Sequence, residues 1–359
     1  VFKRNLSIVL GAAALAAALA ACGSSSNNGG SVSNAANTIS DPKLPTVTLM
    51  VGGIDKQIYL PYQLAQNLGF YKKYGVNVQL STEQNGGVGA ETAMASGQVD
   101  LAGAWYVHTI DFQQKGKSVV DVVNLSGAPG EREMCAKGTS ITSPGQWAGK
   151  TVGVTDLGSG TDNLTVYLAA RYHLTTKQFS RAAVGAADTF VAALEHNRIA
   201  CGMTSQPTAG AVQTKGVGYT AFNLATTSGA RQWLGGVYPA AGVLARADWV
   251  ASHQKETQAV VDALVATMHW INTHTAAQIA DAMPPAFVSN GLTTKAAYTA
   301  ELTADKGQFL PDGTMPAGAP ETALAIDKFA GNISKPVNLA TTYTNQYAVA
   351  ANKLEGYTQ

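Results

Sequence analysis

Residues 151–172 read Thr-Val-Gly-Val-Thr-Asp-Leu-Gly-Ser-Gly-Thr-Asp-Asn-Leu and continue into an apolar-polar alternation of helical period. Thr151, Val152 and Val154 suit a short buried parallel strand, and Gly158 and Gly160 let the backbone turn sharply. Leu164, Tyr167, Leu168 and Tyr172 then recur at helical spacing, with Ser159, Thr161 or Asp162 available as the cap. Such a helix start presents unpaired backbone N–H groups and the positive end of its dipole at the carboxyl edge of a sheet. Small anionic or polar ligands bind there in open α/β folds. An ordinary glycine-rich turn that binds nothing has the same local sequence, so the rest of the chain bears on the choice.

Lys3 and Arg4 precede an uncharged run of Ile, Val, Leu, Gly and Ala over residues 8–21. The run is too short to span a bilayer comfortably and fits the core of a signal peptide. It ends in Leu19-Ala20-Ala21-Cys22-Gly23, which resembles the lipobox of bacterial lipoproteins. That resemblance implies a signal peptide over residues 1–21, lipidation of Cys22 and attachment to the extracytoplasmic face of the cell membrane. Residues 22–45 are expected to form a tether, because positions 23–39 are rich in Ser, Asn and Gly and carry no charge. About 315 residues remain, enough for two lobes with their own cores. Lys and Arg number 24 against 23 Asp and Glu, with no basic run, which argues against a nucleic-acid partner.

In the first half, residues 46–51 alternate as a strand, and Leu60, Leu64, Ala65, Leu68 and Tyr71 make one helical face with Pro61 in the first turn. Further strands are expected at 76–80, 99–102 and 118–125, with a Gly86-Gly87 helix start between the first two. Residues 69–78 (Gly-Phe-Tyr-Lys-Lys-Tyr-Gly-Val-Asn-Val) and 95–102 (Ala-Ser-Gly-Gln-Val-Asp-Leu-Ala) occur in the order found in the nitrate/sulfonate/taurine type of solute-binding protein that feeds ABC importers. The chain resembles that family from about residue 46 into its C-terminal region, where 312–316 and 337–345 are also similar. Departures include Trp147-Ala148 and Ala200-Cys201.

The resemblance implies a type II periplasmic-binding-protein-like fold, two α/β lobes joined by a two-strand hinge. Lobe 1 would take residues 46–130 and 242–359, and lobe 2 residues 131–241. Second-lobe strands are expected at 133–137, 151–154, 181–184 and 199–204, with the chain crossing back at 242–247. Val260, Val261, Leu264, Val265, Met268 and Ile271 then mark an amphipathic helix. Cys135 and Cys201 fall on neighbouring strands of an exported protein, either as a disulfide or as two buried thiols. His269 and His274 are off the i, i+4 spacing that would place both on one metal, so no metal site is expected.

Carried over residue by residue, the family's mouth loops correspond to Lys56, Gln57, Gly86, Gly87 and Trp105 in lobe 1, and to Ser159, Gly160, Thr161, Gln206 and Tyr238 in lobe 2 and its return. Helix starts and hydroxyls would hold an oxyanion, while the two aromatics would wall off an apolar part. Fixed positive charge is sparse, Lys56 apart, with Arg231 placed in a loop. A nitrate-, sulfonate- or taurine-like anion is the expected solute, and a neutral or aromatic one such as a pyrimidine or aromatic carboxylate is the alternative. The chain carries no Gly-x-Ser-x-Gly, His-Glu-x-x-His, Cys-x-x-Cys or Walker motif, so no enzyme activity and no cofactor are expected. The rivals are a pyridoxal-phosphate-dependent pyrimidine synthase of similar fold and a binding protein coupled to a sensor. The expected partners are the solute, a permease and its ATPase, with the chain itself a monomer.

Overall fold

Val47, Leu49 and Val51 are buried while their neighbours are less so, and this alternation makes β1 (Thr46–Val51) a strand with one face on a core. The computed structural model describes residues 41–83 and 86–357. The expected signal peptide, Cys22 and the tether as far as residue 40 lie outside them.

From β1 the chain runs through α1 (Leu60–Asn67) and α2 (Phe70–Lys73) to β2 (Asn77–Thr82). Pro61 sits in the first turn of α1, where a missing N–H breaks no helical bond. Gly69 at φ 73° separates the two helices, and Tyr71 buries its ring beyond that turn. Then come α3 (Gly87–Ser96), β3 (Leu101–Trp105), α4 (Val107–Gln114) and β4 (Val119–Asn124). The sheet order is β2-β1-β3-β10-β4, with β1 parallel to β2 and β3.

The second sheet is built the same way from β5 (Glu131–Ala136), β6 (Thr151–Val154), α5 (Gly160–Arg171), β7 (Ser180–Ala183), α6 (Ala187–Glu195), β8 (Cys201–Ser205), α7 (Thr208–Thr214), β9 (Gly218–Asn223) and α8 (Thr227–Leu234). Its order is β7-β6-β8-β5-β9, with β6 parallel to β7 and β8. β5 enters this sheet antiparallel between β8 and β9, and β10 (Ala241–Arg246) returns to the first sheet antiparallel between β3 and β4. Each lobe therefore receives one strand that has just left the other, and those two crossings form the hinge.

The remainder is helical: α9 (Ala247–Ser252), α10 (Gln254–Thr273), α11 (Ala276–Ala282), α12 (Pro285–Val288), α13 (Lys295–Asp305), α14 (Ala319–Ala330) and α15 (Gln346–Leu354). All six apolar residues expected on one face of α10 are buried, and the helix packs against α1, α2 and α15. α14 packs on both α4 and α5, so the tail braces both lobes. Arg132 adds a second brace from β5 by holding Asp305 of α13 through two bonds of 2.7 and 2.6 Å. Arg231, expected in a loop, lies in the last turn of α8 and is exposed. Among the described residues no helix is long and apolar enough to cross a membrane.

Candidate functional site

Beyond β6 the turn at Gly158, with φ 81°, delivers the chain to α5. Ser159 is the cap: its Oγ accepts the Asp162 N–H at 3.3 Å, and its side chain lies 2.9 Å from Thr161 Oγ1. Thr161 Oγ1 in turn accepts the Thr155 N–H at 2.9 Å. The hydroxyls of Thr155, Ser159 and Thr161 thus cluster at the start of the helix, where the N–H groups of Gly160 and Thr161 have no intrahelical acceptor. Asp162 takes the Gly158 N–H at 2.8 Å and pairs with Arg181 at 2.5 Å, which turns that acid away from the opening.

The opposing lobe meets this turn over glycines. A Cβ on Gly86, at φ 79°, would lie 2.8 Å from Thr155 Cγ2, and a Cβ on Gly160 would fall within the Trp105 indole. Trp105 ends β3 and rests edge-on against the buried Tyr238, with ring centres 5.9 Å apart and planes at 71°. Lys56 reaches back to donate to the Gly52 carbonyl at 3.1 Å.

Between these loops lies a small cavity of about 20 Å³, room for about one water molecule, lined by Lys56, Gly86, Gly87, Trp105, Ser159, Gly160 and Thr161 together with Tyr59, His108, Glu131 and Thr155. The first seven are sequence-expected positions. The last four escaped the sequence reading. Tyr59 and His108 sit beside expected residues, in the turn after Lys56 and on the helix after Trp105. Glu131 had a visible signal: Glu131-Arg132-Glu133 places three charges in a strand that is buried throughout.

Gln57, Gln206 and Tyr238, also expected at the mouth, do not line this cavity. Gln57 donates its backbone N–H to the Gln206 carbonyl at 2.9 Å and its side-chain amide to the Tyr298 carbonyl at 3.0 Å. Gln206 Oε1 accepts the Gly210 N–H at 2.8 Å. The two glutamines meet through their backbones while their side chains are held by Tyr298 and Gly210, and Tyr238 backs Trp105.

Burial pushes the Glu131 carboxyl up to about 7, although Lys56 and Arg132 pull against it. Glu91 behind the cavity is likewise raised to about 7 by burial. His108 lies 3.3 Å from Glu91 and 3.0 Å from Asp111; burial pushes its pKa down, but those acids outweigh it and hold it at about 9. The Tyr59 hydroxyl is driven upward by burial and by Glu91, Glu131 and Glu83. Lys56 is thus accompanied at this site by more acid than the sequence reading expected.

Cys135 and Cys201 face each other across the β5–β8 pair, and their sulfurs are bonded at 1.99 Å. Among the described residues Glu133, Cys135 and Cys201 form the one close group of metal-ligating side chains, and both sulfurs are tied in that bond. His269 and His274 stack on Tyr357 and Trp270 instead of meeting each other.

Residues 58–278 match the family model described as NMT1/THI5 like. The chain belongs to this family. Its fold is shared by a structure from Bordetella bronchiseptica RB50, 26% identical with a TM-score of 0.80, the match covering 88% of this chain and 99% of that one. The alkanesulfonate-binding protein SsuA of Xanthomonas axonopodis pv. citri, bound to MOPS, is 14% identical with a TM-score of 0.65, over 85% and 99% of the two chains. The periplasmic nitrate-binding protein NrtA of Synechocystis PCC 6803 is 16% identical with a TM-score of 0.66, over 88% and 90%. The family's two-lobed periplasmic-binding-protein fold is therefore the one expected from residues 69–78 and 95–102. No curated protein matches the sequence.

Proposed function

We propose that the chain is an extracytoplasmic solute-binding lipoprotein, anchored through Cys22, that closes two lobes over a small molecule and presents it to an ABC permease and its ATPase. The lobes comprise residues 46–130 with 242–359, and residues 131–241. The observation that carries the reading is the meeting of Gly160 and Trp105 from opposite lobes over the polar cavity that the mouth loops enclose. A solute held there touches both lobes only when they close, so binding shifts an open-closed equilibrium and needs no chemistry on the solute. The start of α5 with its hydroxyls suits an oxyanion or carbonyl, and Trp105 suits an apolar or aromatic body. A sulfonate- or taurine-like molecule meets these terms, as does an aromatic carboxylate or pyrimidine.

The test is a thermal-melt screen of residues 41–357 against nitrate, taurine, alkane- and arylsulfonates, aromatic carboxylates and pyrimidines. A compound at ~100 times its dissociation constant adds about 2.7 kcal/mol of stability, and Trp105→Ala should abolish that gain. A panel that leaves the melting temperature unmoved throughout would count against the receptor reading. Radiolabelled fatty acid should enter the full chain and not Cys22→Ser.

A further inference from the structure

We infer that the solute carries a nitrogen hydrogen-bond donor, an ammonium or an N–H of an amidine or aminoheterocycle, which the Glu131 carboxylate receives inside the cavity. The inference rests on the solute-receptor reading and narrows its solute class.

Glu131 is only 4% exposed, lines the cavity, and its Oε2 has no hydrogen-bond partner. A buried carboxylate oxygen is rarely left in that state, because the cost of removing it from water is recovered only when a donor reaches it. The neighbouring cations each have another partner, and none of them donates to Glu131 Oε2. Arg132 spends both terminal nitrogens on Asp305, Lys56 Nζ donates to the Gly52 carbonyl, and His108 lies between Glu91 and Asp111. No protein donor reaches Oε2, and a donor carried by the occupant of the cavity would complete it. The same cavity is lined by Ser159 and Thr161 at the start of α5, whose hydroxyls and first N–H groups suit an acidic or carbonyl group. Together these groups suit a molecule that carries both a donor nitrogen and an acceptor. Nitrate offers no donor and would set a second negative charge against Glu131.

The charged and titratable groups around Glu131 are Lys56 and Tyr59 from the segment after β1, Arg132 and Glu133 on its own strand, and His108 and Glu91 from α4 and α3. With the carboxyl raised to about 7, the alternative is a protonated Glu131 that donates to an anion. The two arrangements respond to pH in opposite directions.

The experiment is calorimetric titration of the native protein, Glu131→Gln and Glu131→Asp at pH 6 and pH 8. The probes are matched pairs: taurine against ethanesulfonate, 4-(aminomethyl)benzoate against 4-methylbenzoate, and 4-aminopyrimidine against pyrimidine, with nitrate added. The expected result is that the nitrogen-bearing member of at least one pair binds tenfold or more tightly than its partner. Its affinity should rise severalfold from pH 6 to pH 8 for the taurine or benzoate pair. Glu131→Gln should lose at least tenfold and the pH response, Glu131→Asp should recover part, and both should melt cooperatively. Equal or tighter binding of the nitrogen-free member or of nitrate, kept in Glu131→Gln or strengthening toward pH 6, overturns the inference and leaves the receptor reading intact. Silence of every probe counts against the receptor reading, and this inference falls with it.

Discussion

At position 160 the chain has room for a hydrogen atom and nothing larger, because the Trp105 indole of the opposite lobe occupies the space a Cβ would take. The contact exists only while the lobes are together, so a side chain there should oppose closure and leave each lobe intact. Gly160→Ala is expected to weaken binding of a solute found in the melt screen by at least tenfold, about 1.4 kcal/mol, with little change in the melting temperature of the free protein. Calorimetry beside a thermal melt separates the two, and a variant with native affinity would remove the glycine-indole contact from the closing mechanism. The sequence made Gly160 legible as a turn residue, and Ser159 and Thr161 legible as a helix start. It could not show that the reason for glycine is a tryptophan far away in the chain, since that proximity exists only after both sheets have formed. Gln57 and Gln206 illustrate the converse. Their side chains answer to the Tyr298 carbonyl and the Gly210 N–H, demands that loop position alone does not reveal.

Among the elements, β5 carries the most constraint. It leaves the first lobe, enters the second sheet between β8 and β9, contributes Glu131 to the cavity, fixes α13 through Arg132 and is bonded to β8 through Cys135. The bond to Cys201 closes a sequence separation of 66, so in the chain-entropy account its removal costs about 4 kcal/mol at most. The double variant Cys135→Ala/Cys201→Ala should lose about 2–4 kcal/mol in denaturant unfolding. Its hydrogen exchange should accelerate in β5, β6 and β8 before it does in β1 to β4. Uniform acceleration over both sheets would mean that the bond stabilises the whole molecule and not the second lobe. Most strands were legible because valine and leucine alternate or cluster between glycine turns, as at 46–51 and 151–154. β9 was not: Gly-Tyr-Thr-Ala-Phe-Asn has little apolar alternation, and it becomes a strand because β5 offers it an open edge.

Across the molecule, acids held out of water set how stability responds to pH. Burial raises Glu91, Glu131, Glu301 and Asp327 each to about 7, against about 4 for such groups in an unfolded chain. Between these values the folded state binds more protons than the unfolded one, so stability is greatest near or below pH 4.5 and declines as pH rises through 7. His108 acts in the same direction. Held at about 9, it contributes stability that is complete below about pH 6.5 and is lost as pH climbs through 9. One fully buried acid displaced this far contributes on the order of 1 to 3 kcal/mol, so the solute-free protein should melt several degrees higher at pH 5 than at pH 8. Glu131→Gln cannot ionise and should flatten the slope. Differential scanning calorimetry of residues 41–357 across that range checks both statements, and a melting temperature that rises from pH 5 to pH 8 would contradict them. The same linkage bears on the solute. If an N–H donor meets Glu131, it relieves the burial of an ionised carboxylate, so its stabilising effect should be larger at pH 8 than at pH 5, where the carboxyl already carries its own proton.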